Sequence, residues 1–183
     1  MTTRVTRRAL NWPEEHVPAV YGRTMSQLFN ARGKDARAPL GAAADSPLGD
    51  HLFFYLTQLE QIFRAGIQEA LYDLDLDIRQ YIALAYIVDG RAPAQHELVQ
   101  LLRLDPSQVV TLTKGLAERG LLVRDTMPQD RRAKALVITA DGRRLYAQAA
   151  VRVRRVEEAL TASLSRRDHN ALKTLLERVL PIS

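Results

Sequence analysis

Residues 93–139 constrain the fold of this chain most tightly, because helix-start, helix-stop and strand signals follow one another there in a fixed order. At the centre stands Leu104-Asp105-Pro106-Ser107-Gln108. Proline at a first helical position gives up no hydrogen bond, since that N–H has no intrahelical partner, and its φ is already near helical. Asp105 can accept from the free amides that follow it. Gln108 stands where a capping box places Glu or Gln. Gly120 supplies a residue that takes the left-handed conformation without a Cβ penalty, which is how many helices stop. Together these signals predict a helix over 106–119.

Its two faces differ in kind. At about 100° per residue, Val109, Leu112, Thr113 and Leu116 share one side. Ser107, Thr111, Lys114 and Glu118 share the other, flanked by Gln108, Val110 and Gly115. Short hydroxyls, an amide and a cation are groups that pair with base edges in a major groove, although an ordinary surface helix has room for them too. Upstream, 93–102 reads as a short helix with Leu98, Leu101 and Leu102 turned inward, and a break of only a few residues makes the pair a helix-turn-helix. Downstream, Leu121-Leu122-Val123-Arg124 and Ala135-Leu136-Val137-Ile138-Thr139 are β-prone. Between them, 127–134 reads as a solvated hairpin loop. Its cations Arg131, Arg132 and Lys134 suit contact with phosphates or a minor groove.

This ordered set resembles the MarR family of bacterial dimeric winged-helix transcription regulators. The resemblance rests on Glu97-Leu98 and the run from Leu101 to Val110, then Leu116-Ala117-Glu118-Arg119-Gly120-Leu121-Leu122-Val123-Arg124, then Asp130-Arg131-Arg132-Ala133-Lys134 and Ile138-Thr139-Ala140-Asp141-Gly142-Arg143. It covers roughly 48–181, and its most specific part is Asp130-x-Arg132 followed by Thr139-x-x-Gly142. It implies a mainly α fold with a small β-wing. The winged helix-turn-helix would occupy 77–141, and N- and C-terminal helices in 48–76 and 142–183 would form a helical dimerisation region. Residues 1–47 would add a basic arm, an extra helix and a linker.

The function implied is that of a homodimer on a pseudo-palindromic double-stranded DNA operator, a repressor rather than an activator. Twofold symmetry sets the half-sites about one helical turn apart. In that setting Ser107, Gln108, Thr111 and Lys114 would face the major groove, Gln108 suiting adenine and Lys114 guanine or phosphate. Arg131, Arg132 and Lys134 would hold the wing on DNA. By resemblance, Asp130 would pair with Arg132 and orient the wing. The family commonly binds small aromatic or phenolic effectors between its dimer helices and winged domain, and His51, Tyr55, Arg64, Tyr81 and Tyr86 lie on elements that could line such a cleft. The chain departs from the family pattern at Gly115, which replaces a usual cation, and at Thr111, which replaces a usual arginine. Gln80 and Thr111 also stand where the urate-responsive subgroup carries an acid and an arginine, which argues against urate. These departures keep open an alternative, a winged-helix protein-interaction module without specific DNA binding.

Along the rest of the chain, Arg4, Arg7 and Arg8 mark the basic arm. Asn11-Trp12-Pro13-Glu14-Glu15 reads as a helix start, Val17, Val20, Tyr21, Met25, Leu28 and Phe29 follow with helical spacing to about residue 30, and 32–50 reads as a linker or irregular loop. An apolar stripe of Leu52, Leu56, Leu59, Ile62, Phe63, Ile67 and Leu71 predicts a long helix over 51–74. The segment 78–88 forms another, with Ile82, Ala85 and Tyr86 inward. Thr139 caps a helix to about residue 160 along which Leu145, Ala149, Val153 and Val156 recur. Ser165 caps a last one with Leu172, Leu175, Leu176 and Val179.

Composition removes several classes. With no cysteine, the chain has neither a disulfide nor a thiolate metal site. The net charge of +5 is uneven: residues 38–102 hold three basic against nine acidic side chains, whereas 103–144 hold nine against five. A basic helix-turn-helix and wing beside an acidic middle suit a polyanion-binding face. No apolar run is long enough for a bilayer and no signal peptide is evident, so a cytoplasmic protein without membrane attachment is expected. His16, His51, His96 and His169 are scattered without metal-ligand spacing. Asp73, Asp75 and Asp77 alternate, but the glycine and downstream glutamate of a calcium loop are missing, which favours a solvated turn. Neither a nucleophile elbow nor a phosphate-binding glycine loop is present, so an enzyme is not expected, and no cofactor is implied.

Overall fold

The computed structural model describes residues 43–89, 95–127 and 130–180. The expected arm at Arg4, Arg7 and Arg8, the expected helix around Trp12 and most of the expected linker lie outside the described residues, as do 90–94, Pro128 and Gln129. After a single 3-10 turn, Pro47–Asp50, the element order is α1 (Leu52–Tyr72), α2 (Ile78–Val88), α3 (Gln95–Leu102), α4 (Pro106–Glu118), β1 (Leu122–Met127), β2 (Asp130–Ile138), α5 (Ala140–Leu160) and α6 (Arg166–Val179). The architecture is mainly helical with one two-stranded antiparallel sheet, as the sequence predicts. The chain divides into two compact units. One is Gln58–Val156, and the other joins residues up to Thr57 with those from Glu157.

The unit 58–156 has one apolar core. Leu71, Leu84, Ile87, Leu98, Val109, Leu116, Leu122 and Leu136 are almost wholly buried in it, and Ala149 and Val153 of α5 close it. Burying a leucine or isoleucine side chain contributes about 1.5–3 kcal/mol, so these residues dominate the stability of the unit. On α2 the buried face is Ala83, Leu84 and Ile87, whereas Ile82 is exposed. That corrects the sequence expectation at Ile82, while Tyr86 is half-buried and packs against the core as expected. The helix is apolar on nearly every side, so its periodicity does not select the inner face. On α3 Leu98 is buried and Leu102 packs on the core as expected, whereas Leu101 is exposed and Val99 packs on the core in its place.

The caps at Gly120 and Thr139 follow the sequence signals, and the one at Asp77 is found where the sequence reads as a solvated turn. Asp77 opens α2: its carboxylate accepts from the Gln80 amide at 2.7 Å, and Gln80 Oε1 accepts from the Asp77 amide at 3.1 Å. Asp77 therefore serves as a helix cap. At the end of α4, Gly120 (φ 68°) donates to the Ala117 carbonyl and Leu121 donates to the Leu116 carbonyl. This 6→1 and 5→2 pairing around a left-handed residue is the Schellman arrangement. Thr139 Oγ1 donates to the Gly120 carbonyl at 2.7 Å and accepts from the Gly142 amide at 3.0 Å, so one hydroxyl ties the end of α4 to the start of α5. A Cβ on Gly142 would stand 2.0 Å from the Leu121 carbonyl oxygen. The Thr139-x-x-Gly142 signature thus has a physical cause: the first turn of α5 lies directly on the chain leaving α4.

The hairpin differs from expectation at its outer end. The strands continue through residues 125–127 and 130–134, most of which reads from sequence as loop. Pairing runs from Leu122↔Ile138 through Thr126↔Lys134 and then jumps to Met127↔Asp130. Arg131, Arg132 and Ala133 fall between those two consecutive pairs, so β2 is irregular where its cations lie. Ladder hydrogen bonds need only backbone, and a polar run such as Asp130-Arg131-Arg132-Ala133-Lys134 carries no apolar alternation by which to recognise a strand.

In the other unit, Ser165 Oγ accepts from the Asp168 amide and caps α6 as expected. Leu172, Leu175 and Val179 on α6 are exposed, as are Leu52, Phe53 and Leu56 at the start of α1. No described helix is long and apolar enough to cross a membrane.

Candidate nucleic-acid interface

Helix α4 presents the expected division of faces. Val109, Thr113 and Leu116 are buried, while Ser107, Gln108, Val110, Thr111, Lys114 and Glu118 are exposed. Thr113 is polar yet fully buried, and its hydroxyl is satisfied by the Val109 carbonyl at 2.9 Å and the Val110 carbonyl at 3.1 Å. Its methyl can therefore pack in the core without an unmet donor.

Gln108, Thr111 and Lys114 each have a local partner that leaves further capacity. Gln108 Oε1 accepts from the Asp105 amide at 3.2 Å, so this side chain already serves the cap. A carbonyl oxygen has two lone pairs and the amide nitrogen two donors, so a base edge remains within its chemistry. Thr111 Oγ1 donates to the Ser107 carbonyl at 3.0 Å and keeps its acceptor pairs. Lys114 pairs with Glu118 at 3.6 Å, both largely exposed. Such a pair is worth about 0–1 kcal/mol, little hindrance to a phosphate. Gly115 lies beside Thr111 and Gln108 on the helical wheel, and a Cβ there would meet nothing within 4 Å.

Asp130, Arg131, Arg132 and Lys134 all belong to β2, on the outer part of the hairpin that follows α4 in the same unit. The chain thus carries a hydroxyl- and amide-faced helix and a cation-bearing strand in one compact body. Arg103, in the turn before α4, takes the left-handed conformation (φ 50°) that usually falls to glycine. The Leu104 amide reaches back to the Val99 carbonyl across it, which makes Arg103 the stop of α3.

The residues expected to line a ligand cleft are spread over both units. His51 and Tyr55 belong to the unit containing α6, with Tyr55 edge-on to Phe54. Arg64, Tyr81 and Tyr86 belong to 58–156. Arg64 is exposed and paired with Glu60, Tyr81 stacks on Tyr146 at 5.8 Å, and the Tyr86 hydroxyl donates to Glu97 at 3.1 Å. Among the described residues searched, no group of three or more His, Asp or Glu is placed to hold a metal ion.

Three arginines escaped the sequence reading as structural elements. Arg119 donates to the Leu74 and Asp75 carbonyls, Arg143 to the Val88 carbonyl and Arg152 to the Ala70 carbonyl. Each holds carbonyls at the end of a distant helix, where the last C=O groups lack intrahelical partners and the dipole attracts a cation. Sequence separations of 44–82 residues give such contacts no local signal.

Comparison with known proteins agrees with this geometry. The profile of the MarR family matches residues 74–133. A protein described as a transcriptional regulatory protein for the hcr operon of Thauera aromatica is 29% identical over 149 residues, 81% of this chain and 90% of its own. CouR of Rhodococcus jostii RHA1, solved with p-coumaroyl-CoA bound, has 29% identity and a TM-score of 0.68, covering 75% of this chain and 97% of CouR. CouR solved on a 23-mer DNA duplex gives 27% identity and a TM-score of 0.67, covering 72% of this chain and 94% of that one.

Proposed function

We propose that this chain, which is similar to transcriptional regulators of the MarR family, is itself such a regulator: a sequence-specific double-stranded-DNA-binding repressor that acts as a homodimer and is modulated by a small aromatic or phenolic ligand. The observation that carries the proposal is the pairing, within one unit, of the exposed Ser107, Gln108, Thr111 and Lys114 face of α4 with the β2 cations Arg131, Arg132 and Lys134. Hydroxyl and amide groups discriminate base edges in the major groove, whereas cations on a projecting ribbon bind backbone phosphate without reading sequence. Asp130 orients the wing through Arg132.

Exposed apolar residues of α1 and α6 support a second copy. Clustered apolar side chains left in water mark association surfaces, and helices in 48–76 and 142–183 would bury them as a dimerisation region, with a winged helix-turn-helix in 77–141. Two recognition helices then meet half-sites about one turn apart. An effector near His51, Tyr55, Arg64, Tyr81 and Tyr86 acts by favouring a dimer whose recognition helices no longer match that spacing. CouR, whose bound ligand carries a phenolic acyl group, supports the chemical class of the effector.

Salt dependence of duplex binding tests the proposal. If three wing cations from each subunit contact phosphate, log K against log salt falls with a slope of about −5. A slope of only about −1 to −2 per dimer would remove operator binding and leave a protein-interaction module.

A further inference from the structure

The turn between α1 and α2 is held from two directions. Arg119, at the C-terminal cap of α4, spreads its guanidinium over two successive carbonyls, donating from Nη1 to Asp75 and from Nη2 to Leu74, the latter at 3.2 Å. The Asp75 carboxylate lies 3.7 Å from the same Nη2 but is 95% exposed, so that ion pair adds little to the carbonyl bonds. From α5, Arg152 donates to the Ala70 carbonyl at 3.2 Å and stands 3.7 Å from the Asp73 carboxylate. Asp75 itself sits at φ 50°, and the Leu76 amide closes back on the Leu71 carbonyl. The end of α1 is therefore an anchored point, and the far end of α4 is fastened to it by a single side chain.

We propose that Arg119 is a positioning residue for DNA reading. Its fork fixes the direction in which α4 presents Ser107, Gln108, Thr111 and Lys114, without itself touching DNA. This rests on the operator-binding reading above. Core packing through Val109, Thr113 and Leu116 resists withdrawal of α4, but rotation about that apolar seam costs little directional contact. Two hydrogen bonds from one planar group to adjacent carbonyls resist it. Lysine keeps the charge yet cannot span both oxygens in that geometry.

The test compares Arg119→Lys and Asp75→Asn with the parent, using a duplex selected by the parent protein and an unrelated duplex of equal length, at a temperature where circular dichroism shows all three folded. For Arg119→Lys we expect operator affinity to fall roughly tenfold, non-specific affinity to stay within about twofold, and the operator salt slope to be unchanged. For Asp75→Asn, which spares the carbonyl bonds, we expect both affinities to stay within about twofold. A merely structural role would lower both affinities of Arg119→Lys together and leave their ratio intact, which would overturn the proposal. So would a salt slope reduced by about one per subunit, because Arg119 would then be a phosphate contact. An equal loss in Asp75→Asn would also overturn it, by moving the effect from the fork to the carboxylate. Failure of the operator-binding reading shows separately, as a parent protein with no preference for any duplex.

Discussion

Gly115 offers a clean separation of folding from DNA reading. It lies inside α4, where alanine is favoured over glycine by about 1 kcal/mol. A Cβ at this position would meet no atom within 4 Å, so nothing within the described structure subtracts from that gain. Gly115→Ala is therefore expected to stabilise the protein by about 1 kcal/mol. With a urea m-value on the order of 2 kcal/mol per M, the unfolding midpoint rises by about 0.5 M, and Tm rises by about 2–4 °C. Both must be measured at one protomer concentration, because association shifts apparent stability. The new methyl falls between Thr111 and Gln108 on the face proposed to enter the groove, so operator affinity should drop about tenfold while stability increases. A midpoint that falls would refute the helix-propensity argument. A higher midpoint with unchanged operator affinity would refute close approach of this side of α4 to DNA.

Gly142→Ala should have the opposite effect, because the added Cβ would be driven to 2.0 Å from the Leu121 carbonyl oxygen; a loss of about 3 kcal/mol or more is expected in urea unfolding. Thr139→Val keeps the shape but removes the hydroxyl between the Gly120 carbonyl and the Gly142 amide, which should cost about 1–2 kcal/mol with an unchanged m-value. Leu116→Ala, at a site with no exposure, should cost about 2–5 kcal/mol in the same assay.

The residues themselves explain which features the sequence discloses. Helix ends are legible because their chemistry is local: Pro106 with Gln108, Gly120, Thr139 and Ser165 each act within a few residues of where they stand. Helix α2 is expected and found at Ile78–Val88. The inner face of that same helix is not legible, because an almost uniformly apolar stretch leaves the choice to neighbours distant in sequence. The outer hairpin was hidden for the converse reason: its strands are polar, and their register depends on backbone pairing. The outward face of α4 follows from helical spacing alone, and burial bears out its division. The fastening of its far end does not, since Arg119 meets the turn at Leu74 and Asp75 only after folding.

The central claim is that α4 and the β2 cations of a twofold dimer read duplex DNA. Its most direct test is selection of bound sequences from a random duplex pool, run in parallel with Arg132→Ala. The account predicts enrichment of a twofold-symmetric site whose half-sites lie about one helical turn apart, lost or weakened in the variant. A parent protein that enriches nothing symmetric, with Arg132→Ala indistinguishable from it, would contradict the account and return the chain to a protein-interaction module.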